Sequence, residues 1–109
     1  MKFVLATFAS AALLSAGAAH AVLDNAAAEA LMRKDGCAAC HAIEKKLIGP
    51  PYVEVAAKYK ADKDAVAKLV KKVKEGGSGV WGPTPMPPNL TTPTADVNEL
   101  VTWILSLKK

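Results

Sequence analysis

The chain has 109 residues, 51% of them hydrophobic, with 14 Lys/Arg against 10 Asp/Glu and a formal net charge of +4. Its lysines are spread out, with no long block of like charge, so nucleic-acid binding has little support. One small domain fits this length, and small domains bury a modest fraction of their surface and often need a staple or a cofactor.

Residues 1–21, "MKFVLATFASAALLSAGAAHA", carry one positive charge at Lys2, an apolar run from Phe3 to Leu14 and small residues ending in Ala19-His20-Ala21. That order reads as a secretory signal. The apolar run is short for a bilayer span, although an uncleaved membrane anchor is the alternative. Cleavage after Ala21 leaves residues 22–109 as the domain, with Lys2 gone and the net charge reduced by one; a cut after Ala18 also fits. Lys45-Lys46, Lys58, Lys60 and Lys71-Lys72-Lys74 are most simply solvated surface, with steering of an acidic partner as the alternative.

In chain order, Asp24 or Asn25 can cap a helix through "AAAEALMRK" that Gly36 ends, with Leu23, Ala27, Leu31 and Met32 as its apolar face. "GPPYVEVAAKY" suits a turn followed by one or two helical turns, with Pro51 tolerated at the start. In "DKDAVAKLVKKVKEGG" the apolar Val66, Leu69, Val70 and Val73 recur at three and four, behind an acidic cap and before Gly76-Gly77. The last helix places Val97, Leu100, Val101, Ile104 and Leu105 on one face. It starts near Thr92-Pro93 or Thr94, and Lys108-Lys109 complement its end. No alternating run long enough for a strand appears, so the domain is expected to be all-α. The long irregular segment from Gly76 to Pro93 is expected to be an ordered, functional loop, because it holds Trp81 among its glycines and prolines.

"CAACH", Cys37 to His41, contains both cysteines. C-x-x-C-H reads as covalent haem c attachment. Cysteines three apart on a helical turn face the same way, so each can add to one porphyrin vinyl group while the adjacent histidine is held under the ring. A disulfide or a redox dithiol shares the spacing, but the βαβ pattern that usually accompanies the dithiol is missing. Zinc would have only Cys37, Cys40 and His41 once His20 is removed. For the second axial position Met32 and Met86 are the candidates. Met32, just ahead of Cys37 on the entering helix, is more simply core, whereas Met86 lies far enough downstream to come round the haem edge. It stands among Pro83, Pro85, Pro87 and Pro88, which lower the entropy of the unbound loop. A Met/His pair raises the reduction potential and leaves no open site for substrate.

"GCAACHAIEKKLIGPPYVEVAAKY" with "GVWGPTPMPPN" and the closing "WILSLKK" resembles the small bacterial class I cytochromes c of the c-551/c-552 kind, over nearly all of residues 24–109. The resemblance implies three to four helices around one covalent haem, with the first and last helices crossing near the attachment site. It implies His41 and Met86 as axial ligands. It also implies a Pro50 carbonyl bonded to the His41 ring, Asn89 contacting the methionine sulfur, and Trp81 hydrogen-bonded to a haem propionate. Core packing for Trp81 and a loop cap for Asn89 are the alternatives. The chain departs from the pattern at Lys72, where an arginine can stand near the propionate, and at Met32, where an aromatic often links the first and last helices. The loop before the final helix is one residue longer.

The expected function is a periplasmic electron carrier, not an enzyme, monomeric and not membrane-integral after processing. Expected partners are redox proteins such as a haem-containing nitrite reductase, a cytochrome c peroxidase, a terminal oxidase or a cytochrome bc complex. A haem enzyme or ligand sensor with an open sixth site, or a subunit docked permanently on one oxidoreductase, are the competing readings.

Overall fold

A computed structural model describes Ala12 and residues 22–109, so the expected leader lies, Ala12 apart, outside the described residues. Four α-helices, α1 (Asn25–Lys34), α2 (Tyr52–Tyr59), α3 (Ala65–Glu75) and α4 (Thr94–Ser106), are joined by irregular chain, with a 3-10 turn at Cys37–Ala39. Among the described residues there is no named strand, only an isolated antiparallel bridge between Gly77 and Met86. No helix among them is long and apolar enough to cross a membrane.

Asp24 is the cap of α1: its Oδ1 accepts from the Ala27 N–H at 2.7 Å, satisfying one donor of the open first turn. Arg33 and Lys34 sit in the last turn, where positive charge complements the helix dipole. The buried face is Ala28 and Met32, one helical turn apart, and not the expected Ala27, which is exposed; Leu23 and Leu31 are half-buried beside them. Ala28 has no exposed surface and belongs to the same core cluster as Leu100, Trp103 and Ile104 of α4.

Pro51 precedes α2 with φ −65°, and the helix buries Tyr52, Val53, Val55 and Ala56. Its first N–H groups are taken by carbonyls of the preceding segment, Tyr52 by Ala42 and Val53 by Ile43, both at 3.0 Å. The CAACH peptide is thereby fixed to the start of α2.

α3 begins behind an acidic residue, as expected, but departs from expectation at its face. Asp64 makes no side-chain cap bond; Asp62 does the work instead, accepting from the Asp64 N–H at 2.8 Å and from Lys68 Nζ at 2.6 Å. Val66 is exposed, whereas Leu69, Val70 and Val73 are half-buried. In α4 the buried set is Val97, Leu100, Val101, Trp103 and Ile104, while Leu105 is half-buried. Trp103 is 1% exposed, joins Met32 in the same core cluster and donates through Nε1 to Asn25 Oδ1 at 3.1 Å, tying α4 to α1. α4 touches α1, α2 and α3 and is the common strut of the domain. Its helix ends before the terminal lysines; Lys109 pairs with Glu54 of α2 at 3.5 Å instead of completing the helix end.

Candidate functional site

The α1 helix ends at Asp35 and the chain reverses through Gly36, with φ +81°. The 3-10 turn that follows brings the Cys40 and His41 N–H groups onto the Cys37 carbonyl at 3.1 and 2.9 Å. This turn is the local reason a C-x-x-C-H pentapeptide groups its two sulfurs and its imidazole. Cys37 and Cys40 are free, half-buried thiols. Burial pushes the Cys37 thiol above its ordinary range, the nearby Asp35 carboxylate adds to that, and a hydrogen bond with Tyr52 works against it. Burial likewise pushes the Tyr52 phenol well up, with Cys37 as the next cause.

His41 is held on three sides. Its Nδ1 donates to the Pro50 carbonyl at 2.9 Å; a carbonyl only accepts, so Nδ1 carries a proton, and in the neutral ring the lone pair is then on Nε2. Its ring stacks on Tyr52, with centroids 4.9 Å apart and planes 20° apart, and Tyr52 meets Trp103 edge-on at 6.1 Å. Gly49 closes the third side: a Cβ there would lie 2.8 Å from Nδ1 and 2.9 Å from Nε2, closer than real contacts allow. The sequence reading found the Pro50 contact but missed Gly49 and Tyr52, whose only local signal is the Gly-Pro-Pro turn before α2.

Met86 stands in the irregular segment, yet its backbone is fixed. Its N–H and carbonyl exchange hydrogen bonds with Gly77 at 2.8 and 3.0 Å. Gly76, with φ +70°, permits this approach: any side chain there would strike the Met86 carbonyl and the Pro88 nitrogen. Three residues on, the Asn89 N–H donates to the Val73 carbonyl at 2.9 Å. The Asn89 side chain acts as a loop cap: Oδ1 accepts from Thr92 N–H at 3.0 Å and Thr91 N–H at 3.3 Å, and Nδ2 donates to the Asp35 carbonyl at 3.4 Å. The loop is thus tied to α3, to the end of α1 and to the start of α4.

Trp81 is 42% exposed, so it is not core packing; Lys58 Nζ lies 5.5 Å from its ring centroid, within cation–π range. The Lys72 ammonium lies against Gly77. Cys37, Cys40, His41, Pro50, Lys72, Trp81, Met86 and Asn89 all line one cavity of about 990 Å³. Apolar side chains of α2, α3 and α4, including Val55, Leu69, Val97, Leu100 and Ile104, form much of the rest. Met32 does not line it and belongs to the core cluster. The volume is at the upper end for a cofactor pocket, about 300–1,000 Å³. The donor set is two thiols, one free imidazole lone pair and one thioether, which fits a covalently tethered porphyrin iron. Among the described residues there is no group of three or more His, Cys, Asp or Glu placed to hold a metal ion.

An all-helical domain folded round such a pocket defines a class I cytochrome c, and the chain belongs to the cytochrome c family, whose sequence profile matches residues 25–108. It is 48% identical over 104 residues to cytochrome c-552 of Nitrosomonas europaea, covering 95% of each chain. It is 53% identical over 77 residues to cytochrome c-551 of Allochromatium vinosum, covering 71% of this chain and 82% of that one. The crystal structure of the Nitrosomonas europaea protein superposes with a TM-score of 0.71, over 73% of this chain and 99% of that one. The chain is a monohaem c-type cytochrome, an electron-transfer protein and not an enzyme, and its cofactor is a covalently bound haem c.

Proposed function

We propose that this cytochrome is exported by residues 1–21 and works in the periplasm as an electron carrier between respiratory redox proteins. In this reading Cys37 and Cys40 form the two thioether links, and His41 Nε2 and the Met86 sulfur are the axial ligands. When bound, the haem iron supplies a one-electron Fe(II)/Fe(III) couple. The single observation that carries the reading is that the His41 ring and the Met86 backbone are both fixed by contacts of the protein alone. The His41 ring is set by Pro50, Tyr52 and Gly49, and Met86 by Gly76 and Gly77. Ligands that need no rearrangement when charge changes suit outer-sphere electron transfer.

The supporting residues then have definite tasks. The Pro50 carbonyl orients His41 and strengthens it as a donor. Asn89 spends one Nδ2 hydrogen on Asp35 and has a second for the methionine sulfur. Trp81 Nε1 and the Lys72 ammonium serve the propionates, Lys72 as a point charge without the bidentate fork of arginine. Partners are redox proteins of the kinds expected above, met in small, short-lived contacts, with lysines acting on the association rate. Filling both axial positions disfavours the open-site enzyme or sensor.

The test is optical. The ferric protein is expected to show the weak long-wavelength charge-transfer band of a methionine–iron bond, and the reduced protein is expected not to bind carbon monoxide readily at neutral pH. Rapid carbon monoxide binding, with no such band, would overturn the closed-site reading.

A further inference from the structure

Two acidic side chains line the cavity, Asp35 and Glu54. Glu54 faces Lys109 at 3.5 Å. Asp35 is different: its Oδ2 is shielded from water and has no hydrogen-bond partner, and no salt bridge among the described residues reaches it. Its position is not accidental slack in a loop. The Asp35 N–H closes α1 on the Leu31 carbonyl at 2.8 Å, its own carbonyl accepts from Asn89 Nδ2, and Gly36 turns the chain immediately after it.

A shielded carboxylate oxygen without a partner is costly to folding unless some positive charge compensates it. No cation among the described residues pairs with it: Lys46 and Lys72 line the same cavity, but neither forms a salt bridge to it. The Asp35 charge is felt two residues on, where it helps to disfavour the Cys37 thiolate. The compensating charge is therefore sought inside the cavity that Asp35 lines. A haem centre carries one more positive charge in the ferric than in the ferrous state. A fixed anion beside the pocket stabilises the ferric state more, and does so strongly where water does not screen it. We propose that the Asp35 carboxylate is a potential-setting residue, an internal negative charge that lowers the reduction potential and opposes the upward pull of Met86. This inference rests on the haem reading above. It assigns Asp35 a positioning of charge and no contact with iron.

The test uses the full holoprotein, titrated potentiometrically at pH 7 at low and high salt. Asp35→Asn keeps the shape and removes the charge; Asp35→Ala removes both; Asp35→Glu keeps the charge. Asn and Ala are expected to move the equilibrium toward the ferrous form by about three- to tenfold, tenfold being about 59 mV for one electron. Glu is expected to stay within about twofold of wild type. The ferric spectrum should be unchanged throughout, and the shift should survive high salt, because a shielded charge is weakly screened. Shifts under twofold in both Asn and Ala would overturn the proposal, as would a shift in Ala without one in Asn, a shift in Glu equal to that in Asn, or a shift abolished by salt. A wild-type protein without haem absorbance would instead bring down the parent reading, so the two failures are distinguishable.

Discussion

Gly49 shows how much a single missing side chain decides at the site. The His41 imidazole fills the space where a Cβ of Gly49 would stand, so Gly49→Ala must move either the ring or the backbone carrying Pro50. Overpacking of this kind typically costs about 1–3 kcal/mol. Here the cost falls on the ring that must keep Nδ1 on the Pro50 carbonyl. The expected outcome is a holoprotein with lower Tm and a perturbed ferric spectrum, checked by thermal melting followed in the haem band. A wild-type spectrum and Tm would show that the cradle is looser than the geometry says. At this scale the sequence was readable where chemistry fixes spacing: Cys37, Cys40 and His41 stand out because covalent attachment tolerates little else. Gly49, Tyr52 and Asp35 did not stand out, because their neighbours are brought in by tertiary packing, and nothing in "IGPPY" or "RKDGC" announces a ring or a shielded oxygen.

Among the helices, α4 was the easiest to anticipate and α3 the least completely. The α4 apolar spacing is strong, and the structure adds to it Trp103, which belongs to the same buried side through its contacts with α1 and Tyr52. In α3 the apolar recurrence located the helix, but periodicity does not tell how wide a face is covered, and Val66 stays outside. The start of α3 also carries a pH-dependent clasp. Hydrogen bonding to Lys68, and to the Asp64 N–H, holds the Asp62 carboxyl below the usual carboxylate range, and Asp62 in turn raises Lys68. A carboxyl lowered in the folded state contributes stability that is present above its unfolded value, about 3.9, and is lost as pH falls through the folded value. The lysine contribution has the opposite sense: present below about 10.4 and lost as pH rises through its raised folded value. Lys68 is exposed and Asp62 only half-buried, so the effect is small and salt-sensitive. Comparing Asp62→Asn with wild type, the Tm difference is expected to be present between pH 5 and 9 and to close below about pH 4. A difference that persists unchanged at low pH would show that the clasp acts through shape and not charge.

Across the whole molecule, two separate frameworks meet at the pocket. One runs from the His41 ring through Tyr52 and Trp103 to Asn25, linking the turn after CAACH to α2, α4 and α1. The other runs from Met86 through Gly77 to the end of α3, and through Asn89 to Asp35 and Thr92. Because neither framework uses the thioether itself, removing that sulfur should leave the fold largely intact and change the iron alone. The all-helical architecture and the ordered loop were legible from helix spacing and from a tryptophan among prolines. The loop's anchoring was not, since the Gly77–Met86 bridge joins residues whose pairing no alternating pattern marks. The central claim, that Met86 is the second ligand, is tested most directly by the reduction potential of Met86→Ala beside wild type. A fall of more than about 59 mV, a tenfold change in a one-electron equilibrium, with carbon monoxide now binding the reduced protein and helical content retained, is the predicted result. An unchanged potential and a still-closed iron would contradict it.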